Sequence, residues 1–162
     1  VMVIQFYPIN FFGIELMPTL LVFAGFIPII FIMQSNLGIL SLIGDLIIII
    51  GVLLEFFADH QMHSFLKENA GKKEVCDKGL WKYSRHPNYL GEILVWVGTF
   101  VTFFVSNIKL ENLYTIIGPA IMIFLFEVIS IPMMEKRQLK RREAYKDYKK
   151  HTSRLILLPR RK

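Results

Sequence analysis

The chain predicts an all-α fold: a polytopic membrane protein of about four transmembrane helices with a basic C-terminal tail. Three observations carry this. First, 54% of the 162 residues are hydrophobic and the mean hydropathy is +0.47, more apolar surface than a soluble domain of this size can hide. Second, four apolar stretches approach the roughly 20 residues that a helix needs to cross a bilayer. Third, every one of the 19 basic residues except Lys109 falls between 59 and 88 or after Met134.

The first stretch, Gly13 to Met33, is interrupted by Pro18 and Pro28. The second, Leu37 to Ala58, holds the run Leu46 to Leu54. Its β-branched content would suit a strand, but its length, its lack of turn signals and the need to pair backbone groups internally in lipid favour a helix. The third, Tyr89 to Ser106, is shorter, and the fourth, Leu113 to Met134, carries Pro119 and Pro132 near its ends. Residues Val1 to Phe12 read as a loop or as the end of a helix that precedes the chain. The length suits one transmembrane domain over 1–162, and no signal peptide is expected.

With four spans, the 59–88 loop and the tail lie on one side, and the positive-inside rule places both in the cytoplasm. The turn Gln34 to Asn36 and the loop Asn107 to Asn112 then face outward. This distribution makes the net charge of +6 a topological signal, and nucleic acid is not expected as a partner. Cys76, the single cysteine, allows no intrachain disulfide and is expected to be inert.

Glu15, Asp45, Glu55, Glu92 and Glu127 all fall within the proposed spans. A carboxylate at that depth needs a partner, a cavity or the interface. Interhelical pairing suits Glu15 and Asp45. Glu55 and Asp59, four residues apart and followed by Gln61, share a helical face near the cytoplasmic end and point to a ligand.

The densest chemistry is the run Gly79 to Glu92, Gly-Leu-Trp-Lys-Tyr-Ser-Arg-His-Pro-Asn-Tyr-Leu-Gly-Glu. Pro87 suits the first turn of a helix and pushes His86 toward extended geometry. The third span is therefore predicted to begin at Pro87 and to present its free N–H groups as an anion site. Arg85 adds a cation suited to phosphate or carboxylate, and His86 a donor. Trp81, Tyr83 and Tyr89 offer flat faces. Asn88 and Glu92 can read amide or hydroxyl groups, and Gly91 permits close backbone approach. Trp81 and Lys82 also suit an interfacial anchor. The stretch Glu135 to Lys150, with Arg141, Tyr145 and Tyr148, lies on the same side. It reads as a helix on anionic lipid headgroups that could fold over the ligand.

In order along the chain, Glu55-x-x-x-Asp59-x-Gln61, the Gly79–Glu92 run, Ser130-Ile-Pro-Met-Met-Glu135, Tyr145-x-x-Tyr148 and the Thr152-Ser153 pair resemble the membrane family of the steroid 5-alpha-reductase C-terminal domain type. The resemblance covers about Phe12 to Pro159. It implies a helical membrane enzyme with a cytoplasmic cofactor pocket, and, in the reductase branch, NADPH. Asp59, Tyr83, Asn88 and Glu92 match cofactor contacts, while Glu55 stands where steroid reductases have Asn. Arg85 and His86 match instead the Arg-His-Pro-x-Tyr element of sterol reductases and of isoprenylcysteine carboxyl methyltransferases, in which it binds S-adenosylmethionine. The resemblance further implies that the chain lacks N-terminal helices carrying the acid and Tyr of the substrate half, with Tyr7 and Glu15 the nearest candidates.

The expected activity is reduction of a C=C bond in a lipid-like substrate by NADPH. The alternatives are an S-adenosylmethionine-dependent methyltransferase of an isoprenoid or phospholipid and a non-catalytic lipid-binding protein. The expected cofactor site is Glu55, Asp59, Gln61, Tyr83, Arg85, His86, Asn88, Tyr89, Glu92, Glu135, Arg141, Tyr145 and Tyr148. No metal site and no catalytic residue is assigned, and membrane lipids are the expected surroundings.

Overall fold

The structure, a computed structural model, describes residues 16–34, 36–106 and 108–160. Among them the chain is helical, without strands. Helices α1 (Met17–Gly25) and α2 (Ile27–Met33) are followed by α3 (Ser41–Glu68) and α4 (Pro87–Ser106). A helical run from Leu110 to Arg141 comprises a 3-10 turn (Leu110–Ile116), α5 (Ile117–Phe124), a π-helical turn (Leu125–Ser130) and α6 (Ile131–Arg141). The short α7 (Tyr145–His151) ends the helical part.

Three helical segments among the described residues are long and apolar enough to cross a membrane: α3, α4 and the 110–141 run. The predicted first span is not one helix there. It breaks at Phe26, whose N–H turns back to Val22 and Phe23. Pro28 has no N–H to give Ala24, so the ladder cannot continue. Tyr7 and Glu15 lie outside the described residues.

The second span starts later than predicted and runs ten residues past Ala58, to Glu68. The third begins at Pro87, as predicted. In the fourth, Pro132 denies an N–H to the turn before it, and the helix widens there into the π turn. In a π turn the carbonyl of Glu127 would be bonded by residue 132, which is this proline. Arg154 supplies the missing donor: Nη2 bonds the Glu127 carbonyl at 2.5 Å and Nη1 pairs with its carboxylate at 3.1 Å.

The α3–α4 contact is a seam of small residues. Gly44, Gly51 and Ala58 recur every seventh residue on α3 and are buried. Gly91 and Gly98, also seven apart, face them from α4. A Cβ on Gly51 would lie 2.6 Å from the Gly91 carbonyl, and one on Gly98 2.8 Å from that of Gly44. Such approach is what membrane helices use in place of a hydrophobic driving force. Gly91 thus allows close backbone approach, but to a helix. Within the seam Thr102 Oγ1 donates to Asp45 at 3.0 Å, so Asp45 is paired as expected.

Candidate functional site

The two polar regions meet at one end of the helices, and the Gly79–Glu92 run is where they join. Gly79 has φ of 56° and rests on the Gln61 side chain, whose Oε1 accepts the Leu80 N–H at 2.9 Å. Trp81 is not an interfacial anchor. It is buried against Ala58 and Cys76, and its Nε1 donates to the Ala58 carbonyl at 2.9 Å. Lys82 stays exposed.

The centre of the junction is Glu135, only 4% exposed. One carboxylate oxygen accepts from Arg85 Nε at 2.8 Å and faces His86 Nε2 at 3.4 Å. The other meets Lys149 Nζ at 2.7 Å. Arg85 continues outward: Nη1 donates to the carbonyls of Lys149 (2.8 Å) and Thr152 (2.5 Å), and its backbone N–H to Ser153 (2.9 Å). A buried guanidinium with these partners welds loop, α6 and tail into one unit. His86 stacks on Tyr89, with ring planes 6° apart, and Tyr89 on Phe126.

Beside this junction lies a cavity of about 340 Å³. Eight of the residues selected from sequence line it: Asp59 from α3, Arg85 and His86 from the loop, Asn88 and Tyr89 from the first turn of α4, Arg141 from α6, and Tyr145 and Tyr148 from α7. Five do not line it. Glu55 sits with Asp59, His60 and His63 along an adjoining groove of α3, and Glu92, next to Gly91, comes up beside Glu55. Gln61 and Glu135 hold the loop and the tail. Tyr83 is 41% exposed, and its carbonyl accepts the Leu158 N–H at 3.1 Å.

Other lining residues were not foreseen. Met62, Phe65 and Leu66 belong to the extension of α3 past Ala58; their helical spacing from Asp59 was the signal that could have found them. Cys76 and Arg142 also line the cavity. Arg142 Nη1 bonds Gln138 Oε1, one turn back. Arg141 and Arg142 are shared with a second hollow of about 440 Å³, completed by Lys72, Lys73 and Lys140. Its lining is wholly cationic.

Tyr148 donates from its hydroxyl to the Trp81 carbonyl (2.5 Å) and approaches that of Ser84 (3.2 Å). Burial, the main cause, pushes the ionisation of Tyr145 and Tyr148 well above the ordinary tyrosine range. For Tyr145 the Glu135 charge adds to it, and for Tyr148 the neighbouring Tyr145. Both phenols therefore remain neutral donors. Their contribution to stability is complete below the unfolded value of about 10 and is lost as pH rises through and beyond it, because the unfolded chain ionises first. The melting temperature should fall above about pH 10, and more shallowly in Tyr145→Phe than in the wild type.

No curated protein and no solved structure matches this chain significantly. A family model described as "Protein of unknown function (DUF1295)" matches residues 2–152, nearly the whole chain, and the protein belongs to that family.

Proposed function

We propose that the protein holds NADPH in this cavity and serves the reduction of a C=C bond in a lipid-like substrate. The carrying observation is the wholly cationic hollow joined to the cavity through Arg141 and Arg142. A cavity of 340 Å³ is at the small end of ligand sites, roughly 300–1,000 Å³, and suits one half of a dinucleotide. The basic hollow suits the phosphates of the other half, whose oxygens accept hydrogen bonds from Lys and Arg. S-adenosylmethionine, with a sulfonium, an ammonium and a single carboxylate, has no phosphate for those five cations.

The likeness of the Gly79–Glu92 run to the steroid 5-alpha-reductase C-terminal type supports the same reading. NADPH supplies a hydride; the chain's part is to bind, orient and exclude water. Tyr89, Tyr145 and Tyr148 offer ring faces, and Asn88 and Asp59 offer polar groups to amide and ribose. The groove of Val52, Glu55, Phe56 and Asp59 gives a lipid-like substrate a path from the bilayer to Asp59, which borders both spaces. In this reading the polar end faces the cytoplasm, since every described Lys and Arg except Lys109 belongs to the 59–88 loop or follows Met134, and α1 with α2 completes a fourth crossing.

The methyltransferase reading draws on the other side of Asp59, where Glu55 with Asp59 would suit a cationic cofactor. Melting curves of the detergent-purified protein with NADPH, NADH and S-adenosylmethionine separate the two, because a ligand of the native state raises the melting temperature. NADPH should stabilise most. Arg141→Ala should weaken NADPH about tenfold, the scale of one charge-assisted hydrogen bond, while sparing the ligand-free melting temperature. Stabilisation by S-adenosylmethionine alone would establish the methyltransferase. A response to none would leave a non-catalytic lipid-binding protein.

A further inference from the structure

Residues 152–160 form a closed finger. Its two ends meet where Arg160 Nε donates to Thr152 Oγ1 at 3.3 Å. Both limbs are tied to the same short piece of loop. Ser153 accepts from the Arg85 N–H at 2.9 Å, and the Leu158 N–H donates to Tyr83 at 3.1 Å. Between them Ser84 Oγ donates to the Leu155 carbonyl at 2.7 Å. Arg160 pins the outer end to Asp77 at 3.3 Å and lies over the Tyr148 ring.

The tip of this finger is apolar and reaches the membrane-spanning part of the molecule. Arg154 pairs with Glu127, the only charged residue between Leu113 and Met134. Glu127 lies eight residues before Glu135, or about 12 Å along the helix at 1.5 Å per residue. The finger backbone is tied at the level of the polar junction, through Arg85, Ser84 and Tyr83, and the Arg154 side chain reaches from there toward the span interior at Glu127. Leu155 packs against the cluster of Trp96, Met122 and Phe126, which belongs to the spans. The next side chains, Ile156, Leu157 and Leu158, are 61%, 36% and 45% exposed. Val128, beside Glu127 on the span, is exposed as well. Three consecutive exposed aliphatic residues beside the apolar helices suit hydrocarbon better than water. The chain then returns to Arg160, and the sequence continues Arg161-Lys162, which suits anionic headgroups.

We propose that the 152–160 finger inserts Ile156 and Leu157 into the bilayer leaflet nearest the cavity, as an interfacial anchor on anionic lipid. Its limbs carry the carbonyls of Thr152 and Ser153 that hold Arg85, so the anchor fixes one wall of the cavity to the membrane surface.

The test places a nitroxide on Leu157→Cys, in the full chain with Cys76→Ser. The protein is reconstituted in phosphatidylcholine vesicles containing phosphatidylglycerol as the minor lipid. Relaxation by oxygen, which concentrates in hydrocarbon, is compared with relaxation by a water-soluble nickel chelate. The expected oxygen-to-nickel ratio at 157 is several-fold above that at Lys150→Cys, which is exposed on α7, and close to that at Val128→Cys on the span. A ratio at 157 equal to that at 150 would overturn the proposal by placing the tip in water. Protection from both reagents would overturn it by showing a protein cover, such as a second copy of the chain. If Cys76→Ser does not fold, Leu157→Trp in the otherwise native chain replaces it. Brominated lipid must then quench the added indole emission, and unquenched emission counts against insertion.

Discussion

Glu135→Ala should be the most damaging side-chain truncation in the polar half, lowering stability by about 3–5 kcal/mol, the range for removing one partner of a buried ion pair. Arg85 is 8% exposed and would keep its charge with no carboxylate to meet it. Its bonds to the Lys149 and Thr152 carbonyls satisfy donors but carry no net negative charge. His86 would lose the same oxygen. Lys149, with a side chain 42% exposed, can turn to water and adds little. The loss is read as a drop in melting temperature of the ligand-free protein in detergent. Arg85→Ala should also lower it, because Arg85 holds the tail as well as lining the cavity. A Glu135→Ala protein that melts like the wild type would mean that the junction contributes no stability.

Gly91→Val should be nearly as severe, through the seam. A Cβ there meets the Gly51 carbonyl at 2.6 Å and the Glu55 backbone nitrogen at 2.7 Å. Both obstacles are backbone, so no side-chain rotation relieves the clash and α3 must move from α4. Overpacking costs about 1–3 kcal/mol, and backbone obstacles on both sides put this change at the upper end of that range. It would also shift Asp59 relative to Asn88 and Tyr89 and so alter the cavity. Gly38→Val is the control: a Cβ at Gly38 meets nothing within 4 Å, and the change should stay within about 0.5 kcal/mol. Equal melting temperatures for the two variants would show that the seam is not close-packed.

The elements that could be read from residues alone were those governed by local rules. Pro87 opens α4 because a proline needs no N–H in the first turn. The apolar lengths of the second, third and fourth stretches mark spans because lipid leaves the backbone no other partner. The Gly79–Glu92 run stood out because it concentrates charge and rings before a span, and five of its residues, Trp81, Arg85, His86, Asn88 and Tyr89, line the cavity. The break at Phe26 was half legible: Pro18 and Pro28 were visible as interruptions, but a proline can kink a helix or end it, and packing chooses.

What could not be read was which partner each polar group takes. Arg85 suits an anion by its chemistry, and it found one, but inside the protein: Glu135 lies 50 residues away in the chain. Gln61 has a side-chain amide fit for a ligand and instead holds the backbone of the loop, while Tyr83 is half-exposed and holds the finger through its backbone carbonyl. The heptad of Gly44, Gly51 and Ala58 was present in the text of the chain, yet its meaning depends on Gly91 and Gly98 facing it from another helix.

The residues taken alone were enough to show a helical protein with stretches long and apolar enough to cross a membrane, and basic residues that, Lys109 apart, fall between 59 and 88 or after Met134. Those properties follow from hydrophobic length and backbone pairing, which are sums over neighbours in the chain. The tertiary structure alone decided which cations face a cavity and which are neutralised within the protein. A charge's role depends on the few ångströms around it, and these are filled by residues distant in sequence: Glu135 against Arg85, Arg154 against Glu127, and Arg141 against an open basic hollow.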